Sequence, residues 1–179
     1  MTASGPGRTG VSFEVKPHAY NPAANPELFE GVLARRFVAF IIDLCIIVVP
    51  VMFATVFILV FSIVTLGLGL PLFLLLTPAT VIWAICYCGF TLGGSASATI
   101  GMRIMDLEMR TWYGAPAYFV LGAVHGVVYW ITVTMLTPLI LLIAFVNERR
   151  RLLHDILIGT VVINNAVRAA ALRRARLGG

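Results

Sequence analysis

The sequence predicts an all-α integral membrane protein with two long transmembrane helices, a third apolar segment that is broken or hairpin-like, and a short two-stranded β element at the cytoplasmic face. Hydrophobic residues make up 60% of the 179-residue chain and charged residues 12%, compared with about 45–50% and about 25% in soluble domains. Residues 37–90 contain one charged residue, Asp43. Two later stretches have the alternating or β-branched pattern of short strands.

The first part of the chain, residues 1–34, is expected to be a flexible cytoplasmic tail. It is rich in glycine, proline and asparagine, and its prolines interrupt any helix. It does not have the pattern of a secretory signal peptide, because the first apolar run begins only after Arg35 and Arg36.

Residues 35–165 form the predicted transmembrane domain. One bilayer crossing takes about 20 apolar residues, so the apolar stretch that begins at Phe37 is long enough for two. The glycines and the proline of residues 65–71 indicate a turn between them. The predicted segments are two spans over about 37–61 and 72–90, and a third apolar segment over 117–146.

Two short strands are predicted on one side of the membrane. Residues 103–110 alternate between apolar and polar side chains, which is typical of a strand with one face in water, and the β-branched residues within 159–163 favour a second strand. The two are expected to pair, because an unpaired strand edge leaves backbone groups without partners. The C-terminal tail, residues 166–179, is rich in alanine and arginine, which favours a surface helix on anionic lipid.

Arginines decide the predicted topology. Arg35 and Arg36 place the N-terminus in the cytoplasm, and two crossings return the chain there. A single further crossing would export the arginines at 149–151, against the tendency of arginines to stay inside. We therefore predict that the third segment breaks near 134–138 and returns, with both termini cytoplasmic. A single long tilted helix with an exported C-terminus is the alternative.

Composition argues against several function classes. The formal charge of +5 comes almost entirely from arginines that flank apolar segments, whereas a nucleic-acid partner needs a basic face with readable polar or aromatic groups. Cys45, Cys86 and Cys88 lie inside apolar runs and are interpreted as small buried hydrophobic residues. The sequence contains no recognisable nucleophile–base pair or metal-ligand set. We expect no enzyme, no cofactor, no metal and no nucleic acid; the expected partner is the lipid bilayer.

Asp43 is the most informative residue. A carboxylate in the apolar part of a span costs at least about 2.5 kcal/mol at the bilayer centre, so it usually faces protein or water. Arg36 lies two helical turns earlier on the same face. One interpretation is a site for a proton or a monovalent cation. The other is a structural tie that holds helices together through hydrogen bonds, and the sequence leaves both open.

His154 and Asp155 are further candidates for an ion or proton site, together with Asp43 and Arg36. A metal site would need more ligands than this adjacent pair provides, and none is found at a suitable spacing. The structural interpretation is a polar knot against the loop around Arg103.

His125 lies between Gly122 and Gly126, a spacing of small residues that lets helix backbones approach closely. Helix packing is therefore the interpretation for these glycines, and a proton relay is the alternative role for His125. Lipid head groups are expected to contact the clustered arginines Arg149, Arg150 and Arg151.

The chain resembles the RDD family of bacterial membrane proteins over roughly residues 35–165. Three blocks in the family's order carry the resemblance, which makes it specific. They are RFVAFIID at 36–43, GMR at 101–103, and LHD at 153–155 followed by GTVV at 159–162. Residues 20–31 further resemble a proteobacterial subgroup.

This resemblance implies an inner-membrane protein suspected of transport, without a settled substrate across the family. The family is named for one arginine and two aspartates, which correspond by motif to Arg36, Asp43 and Asp155. The chain departs from the pattern at Met102, where the family's loop often carries a lysine. A role that needs two basic groups in this loop is therefore not expected here.

Two functional hypotheses follow from these residues. In the first, Asp43 binds a proton or monovalent cation for transport, Arg36 and Asp155 shape the cytoplasmic mouth, and a homo-oligomer encloses the pathway because so few helices struggle to do so alone. In the second, the protein is a non-transporting membrane scaffold or assembly partner. Asp43 and Asp155 are then structural polar ties, and the arginine-rich face docks a protein or anionic lipid.

Overall fold

Two long apolar helices dominate the described part of the chain, which in this computed structural model comprises residues 19–136 and 148–178. Helix α1 is Val32–Val64 and helix α2 is Phe73–Leu92. Both are long and apolar enough to cross a membrane, as predicted, and their ends differ from the predicted spans by a few residues. The 33 residues of α1 reach about 50 Å at about 1.5 Å per residue. The hydrocarbon core of a bilayer is about 30 Å thick, so an untilted α1 would extend beyond it.

The connection between α1 and α2 is a compact uncharged turn, in the place where glycines and a proline predict one. Leu66 and Gly67 both have positive φ angles, +56° and +102°, and the Gly67 N–H donates to the carbonyl of Ser62 at 2.7 Å. A single 3-10 turn over Leu70–Leu72 then leads into α2.

The segment after α2 folds into a short helix and a strand. Helix α3 is Ile100–Ile104 and strand β1 is Leu107–Thr111. The predicted strand over 103–110 therefore begins too early, because the Thr99 side chain accepts a hydrogen bond from the Met102 N–H and caps a helical turn there. Asp106, with φ of +54°, separates this helix from the strand.

Helix α4, Phe119–Leu136, packs along α2. Gly122 and Gly126 make the close approach possible, as their spacing predicts. A Cβ atom on Gly122 would lie 2.9 Å from the carbonyl oxygen of Cys88, and one on Gly126 would lie 2.9 Å from the Cys88 Sγ atom. Residues 134–136 of the predicted break in the third apolar segment belong to α4, and the rest of that segment, residues 137–146, lies outside the described residues.

The chain from residue 148 lies at the same end of the helices as β1. Helix α5 is Leu153–Ile158, strand β2 is Thr160–Asn164 and helix α6 is Ala166–Leu177. Strand β2 pairs antiparallel with β1, with Met109 opposite Val162, so the predicted two-stranded element is present. We call α3, β1, β2, α5 and α6 together the cap.

Ion pairs dock α6 onto the segment that precedes α1. The guanidinium of Arg173 contacts the Glu27 carboxylate through two nitrogens, and Arg176 lies 2.7 Å from Glu30. Asn164 reinforces the contact by donating to the carbonyls of Glu27 and Glu30 at 2.8 and 2.9 Å. The predicted basic tail is thus a helix, and part of its positive charge is paired within the chain.

Acidification is expected to release α6 from this contact. The hydrogen bond from Arg173 holds the pKa of Glu27 below its ordinary value. A group with a lowered folded-state pKa stabilises the fold fully above its ordinary pKa, and this stabilisation is lost as the pH falls through the folded-state value. Amide hydrogen exchange of residues 166–177, corrected for intrinsic rates, should show reduced protection as the pH falls from neutral to about 3. Arg173→Gln should show reduced protection already at neutral pH; equal protection in both proteins would contradict the prediction.

Candidate functional site

The predicted site residues form two separate polar clusters where the membrane helices meet the cap. The Asp43 cluster consists of Asp43, Tyr87, Thr99 and Gly101. The Asp155 cluster consists of Arg36, His125, Arg151, His154 and Asp155. Although Arg36 and Asp43 lie on one face of α1, the structure gives them different partners.

Three groups of the protein donate hydrogen bonds to the Asp43 carboxylate. The Tyr87 hydroxyl donates to Oδ1 at 2.5 Å, the Gly101 N–H donates to Oδ1 at 2.8 Å, and the Thr99 hydroxyl donates to Oδ2 at 2.6 Å. The Tyr87 oxygen in turn accepts from the Ile100 N–H at 3.2 Å. Asp43 therefore connects α1 to α2 and to the start of α3. Hydrogen bonds of this kind offset the cost of burying a carboxylate.

A glycine allows α3 to reach Asp43. A Cβ atom on Gly101 would lie 2.2 Å from the carbonyl oxygen of Ala39 and 2.9 Å from the Asp43 carboxyl carbon. Real side chains do not make contacts this short, so only glycine fits against this backbone. The GMR block thus has a geometric reason for its first residue.

The arginines of this region mostly bind backbone carbonyls. Arg103 donates to the carbonyls of Ala98 at 3.0 Å and Thr91 at 3.3 Å, which holds the loop before α3. Arg35 donates to the carbonyl of Met105 at 2.8 Å. The predicted polar contact between the His154–Asp155 pair and the Arg103 loop is therefore wrong. Arg103 instead donates to carbonyls of its own loop, and Asp155 pairs with Arg36.

The Asp155 cluster is centred on a buried ion pair. Arg36 Nη1 lies 2.5 Å from Asp155 Oδ2, and the two side chains are 12% and 0% exposed. The same oxygen accepts the Leu152 N–H at 3.0 Å. This contact joins the first turns of α1 to α5, whose residues are more than a hundred positions away in the sequence.

Arg151 is also part of this cluster, and the prediction that it faces lipid head groups is wrong. Its side chain is buried, donates to the carbonyls of Thr160 and Asp155 at 2.9 Å each, and lies over the ring of Trp112 at 4.9 Å. Carbonyl partners and an aromatic face compensate for burying the guanidinium. Among its neighbours Arg150 is exposed and Arg149 is half-buried.

Two histidines face the other oxygen of Asp155. His154 Nε2 lies 3.5 Å and His125 Nδ1 lies 3.9 Å from Oδ1, and the two imidazole rings meet edge to face at 4.8 Å. In the described part of the chain, these two nitrogens and Nδ1 of His154 are buried without a hydrogen-bond partner. The sequence contains no signal for this meeting, because most of the third apolar segment separates the two histidines.

Burial and neighbouring charges determine the protonation of His154 and Asp155 in α5. Burial lowers the pKa of His154 to about 3, and the attraction of Asp155 offsets only part of this effect. Burial raises the pKa of Asp155. The positive charge of Arg36 and the neighbouring imidazoles together lower this pKa by a larger amount, so the net pKa lies below its ordinary value. At neutral pH the cluster therefore contains a neutral His154 and an ionised Asp155.

Comparison with known proteins identifies one family. The model of the RDD family matches residues 31–159, which include both clusters. No curated protein and no solved structure matches the chain significantly. The matched region is more than half of the chain and contains Arg36, Asp43 and Asp155. The chain belongs to the RDD family of membrane proteins.

Proposed function

We propose that this protein is a non-transporting membrane scaffold, in which buried polar ties hold the cap on the membrane helices and the cap presents a basic surface. The observation that carries the proposal is the set of three hydrogen bonds on Asp43, all donated by its own chain. An ion-binding carboxylate would need to offer oxygen lone pairs to its cargo. Here three of the about four lone-pair sites of the carboxylate already accept from the protein, which leaves little for a cargo ion.

The Asp155 cluster supports the same function. Its ion pair with Arg36 joins the two ends of the family region, and Arg151 binds backbone carbonyls around it. Each family aspartate thus connects a membrane helix to a cap element. Such ties keep the cap in one position relative to the bilayer.

The basic groups that the scaffold would present are exposed arginines of the cap and of the segment before α5. Arg150 and Arg174 are exposed, and basic residues beside membrane helices attract anionic lipid head groups. We propose a bacterial inner-membrane location, with both termini in the cytoplasm, on the basis of this positive charge. The proteobacterial subgroup and a homo-oligomer remain predictions.

Substituting Asp43 with asparagine tests the proposal. Loss of hydrogen bonds to a charged acceptor should lower the free energy of unfolding by about 1.5–3 kcal/mol. In vesicles that contain a pH-sensitive dye, addition of Na⁺ or K⁺ should produce the same small pH change with wild type, with Asp43→Asn and without protein. Thermal melting in detergent gives the stability of each variant.

The matched control is Asp106→Asn, at a half-exposed aspartate 3.8 Å from Arg35. Exposed pairs contribute about 0–1 kcal/mol, so this variant should melt close to wild type. Cation-dependent flux that wild type shows and Asp43→Asn loses, with an unchanged melting temperature, would reject the scaffold. That result would support transport through Asp43 instead.

A further inference from the structure

We propose that His125, His154 and Asp155 bind a divalent transition-metal ion of the zinc class. Their candidate ligand atoms all lie within 4.8 Å of one another. The site lies where α4 meets α5, so a bound ion would connect a membrane helix to the cap. It goes beyond the scaffold function, which does not require a metal.

The spacing of the ligand atoms fits a tetrahedral ion. Zinc binds imidazole nitrogen and carboxylate oxygen at about 2.0–2.2 Å in tetrahedral geometry, which places neighbouring ligand atoms about 3.3–3.6 Å apart. The distances from Asp155 Oδ1 are 3.5 Å to His154 Nε2 and 3.9 Å to His125 Nδ1. The two histidine nitrogens lie within 4.8 Å of each other, so binding requires the His125 ring to move closer to both other ligands.

The unsatisfied nitrogens supply an independent observation. His154 is fully buried, and neither of its ring nitrogens has a hydrogen-bond partner among the described residues. A buried polar atom without a partner costs about 1–3 kcal/mol. Coordination of an ion by His154 Nε2 and by His125 Nδ1 would remove this cost for these two atoms and leave it at His154 Nδ1, and neutral imidazoles are the form that binds metals.

The carboxylate is arranged so that one oxygen is held and the other points at the histidines. Oδ2 accepts from Arg36 and from the Leu152 N–H, while Oδ1 faces both imidazoles and is 3.5 Å from the Thr160 hydroxyl. Hydrogen bonds of this kind orient ligating carboxylates in known metal sites. The nearby charges of Arg36 and Arg151 oppose a dication, so we expect weaker binding than in a site of the same ligands without arginines.

The ligand types select the ion class. Imidazole nitrogens suit zinc, copper, iron and nickel, whereas magnesium prefers carboxylate and water oxygens. Three protein ligands leave a fourth position for water or another group. The nearby thiol of Cys88 contacts α4 at Gly126, so an experiment has to distinguish imidazole from thiolate ligation.

Zinc titration of the full-length, tag-free protein in detergent tests the site by calorimetry and thermal melting. Wild type should bind about one Zn²⁺ and melt at a higher temperature with zinc, and Mg²⁺ should do neither. His125→Gln should weaken zinc binding by about tenfold or more, since loss of even a supporting group costs about 10–100-fold. The matched control is His18→Gln, at the one histidine outside the cluster, which should leave the affinity unchanged.

Cobalt spectra of the wild type give a result that does not depend on how the variants fold. Bound Co²⁺ should show the visible absorption of tetrahedral coordination, without the strong near-ultraviolet band of thiolate ligation. Absence of zinc binding, an octahedral cobalt spectrum, a thiolate band, or unchanged affinity in a folded His125→Gln protein would each overturn the site.

Discussion

Asp155→Asn is expected to lower the free energy of unfolding by about 3–5 kcal/mol, the usual cost of removing one partner of a buried ion pair. The substitution leaves Arg36, which is 12% exposed, without its counter-charge 2.5 Å away. Asparagine keeps the size of the side chain, so the loss reports the charge and not a cavity. Thermal melting in detergent should show a decrease of about 10 °C.

Two further variants separate the ion pair from a general effect of charge. Asp106→Asn removes a half-exposed aspartate that lies 3.8 Å from Arg35 and should change stability by no more than about 1 kcal/mol. The double variant Arg36→Met, Asp155→Leu removes both charges and should recover part of the lost stability, because apolar pairs often replace buried ion pairs without cost. If the melting temperature of Asp155→Asn equalled that of wild type, the ion pair would not be what holds the cap on the membrane helices.

Hydropathy and residue patterns were sufficient for the main elements of the fold. The long uncharged stretch around Asp43 predicts two helices, and glycines with a proline predict the turn between them. The alternation that includes Leu107 and Met109 predicts a strand with one buried face, and these two residues are 2% and 0% exposed. Such patterns are local, so a single sequence reveals them.

The contacts of the polar residues were less predictable. Asp43 requires protein or water around it on energetic grounds, but nothing in the sequence identifies Tyr87 and Thr99 as its donors. Arg151 belongs to a run of three arginines, and only the position of Trp112 and of nearby carbonyls distinguishes it from its exposed neighbour Arg150. The meeting of His125 with His154 depends on how α4 lies against α5. These are tertiary facts that composition and spacing do not contain.

Gly101→Ala is expected to be about as damaging as the loss of Asp155. The added Cβ would lie 2.2 Å from the Ala39 carbonyl oxygen, which belongs to the backbone of α1 and cannot move aside. Overpacking of this kind costs about 1–3 kcal/mol. Displacement of α3 would also remove the Gly101 hydrogen bond to Asp43, and a bond to a charged group contributes about 1.5–3 kcal/mol. The free energy of unfolding should therefore fall by about 3 kcal/mol or more.

The matched control for this substitution is Gly178→Ala, where the added Cβ meets the Arg174 carbonyl oxygen at 3.5 Å, an ordinary contact. The melting temperature of this variant should equal that of wild type. The decisive comparison combines Gly101→Ala with Asp43→Asn. If both act by separating α3 from α1, the second substitution should add little to the first, because the contact is already broken. Fully additive losses would show that Gly101 and Asp43 stabilise the protein independently, and the interpretation of Asp43 as the tie between α1 and α3 would then be wrong.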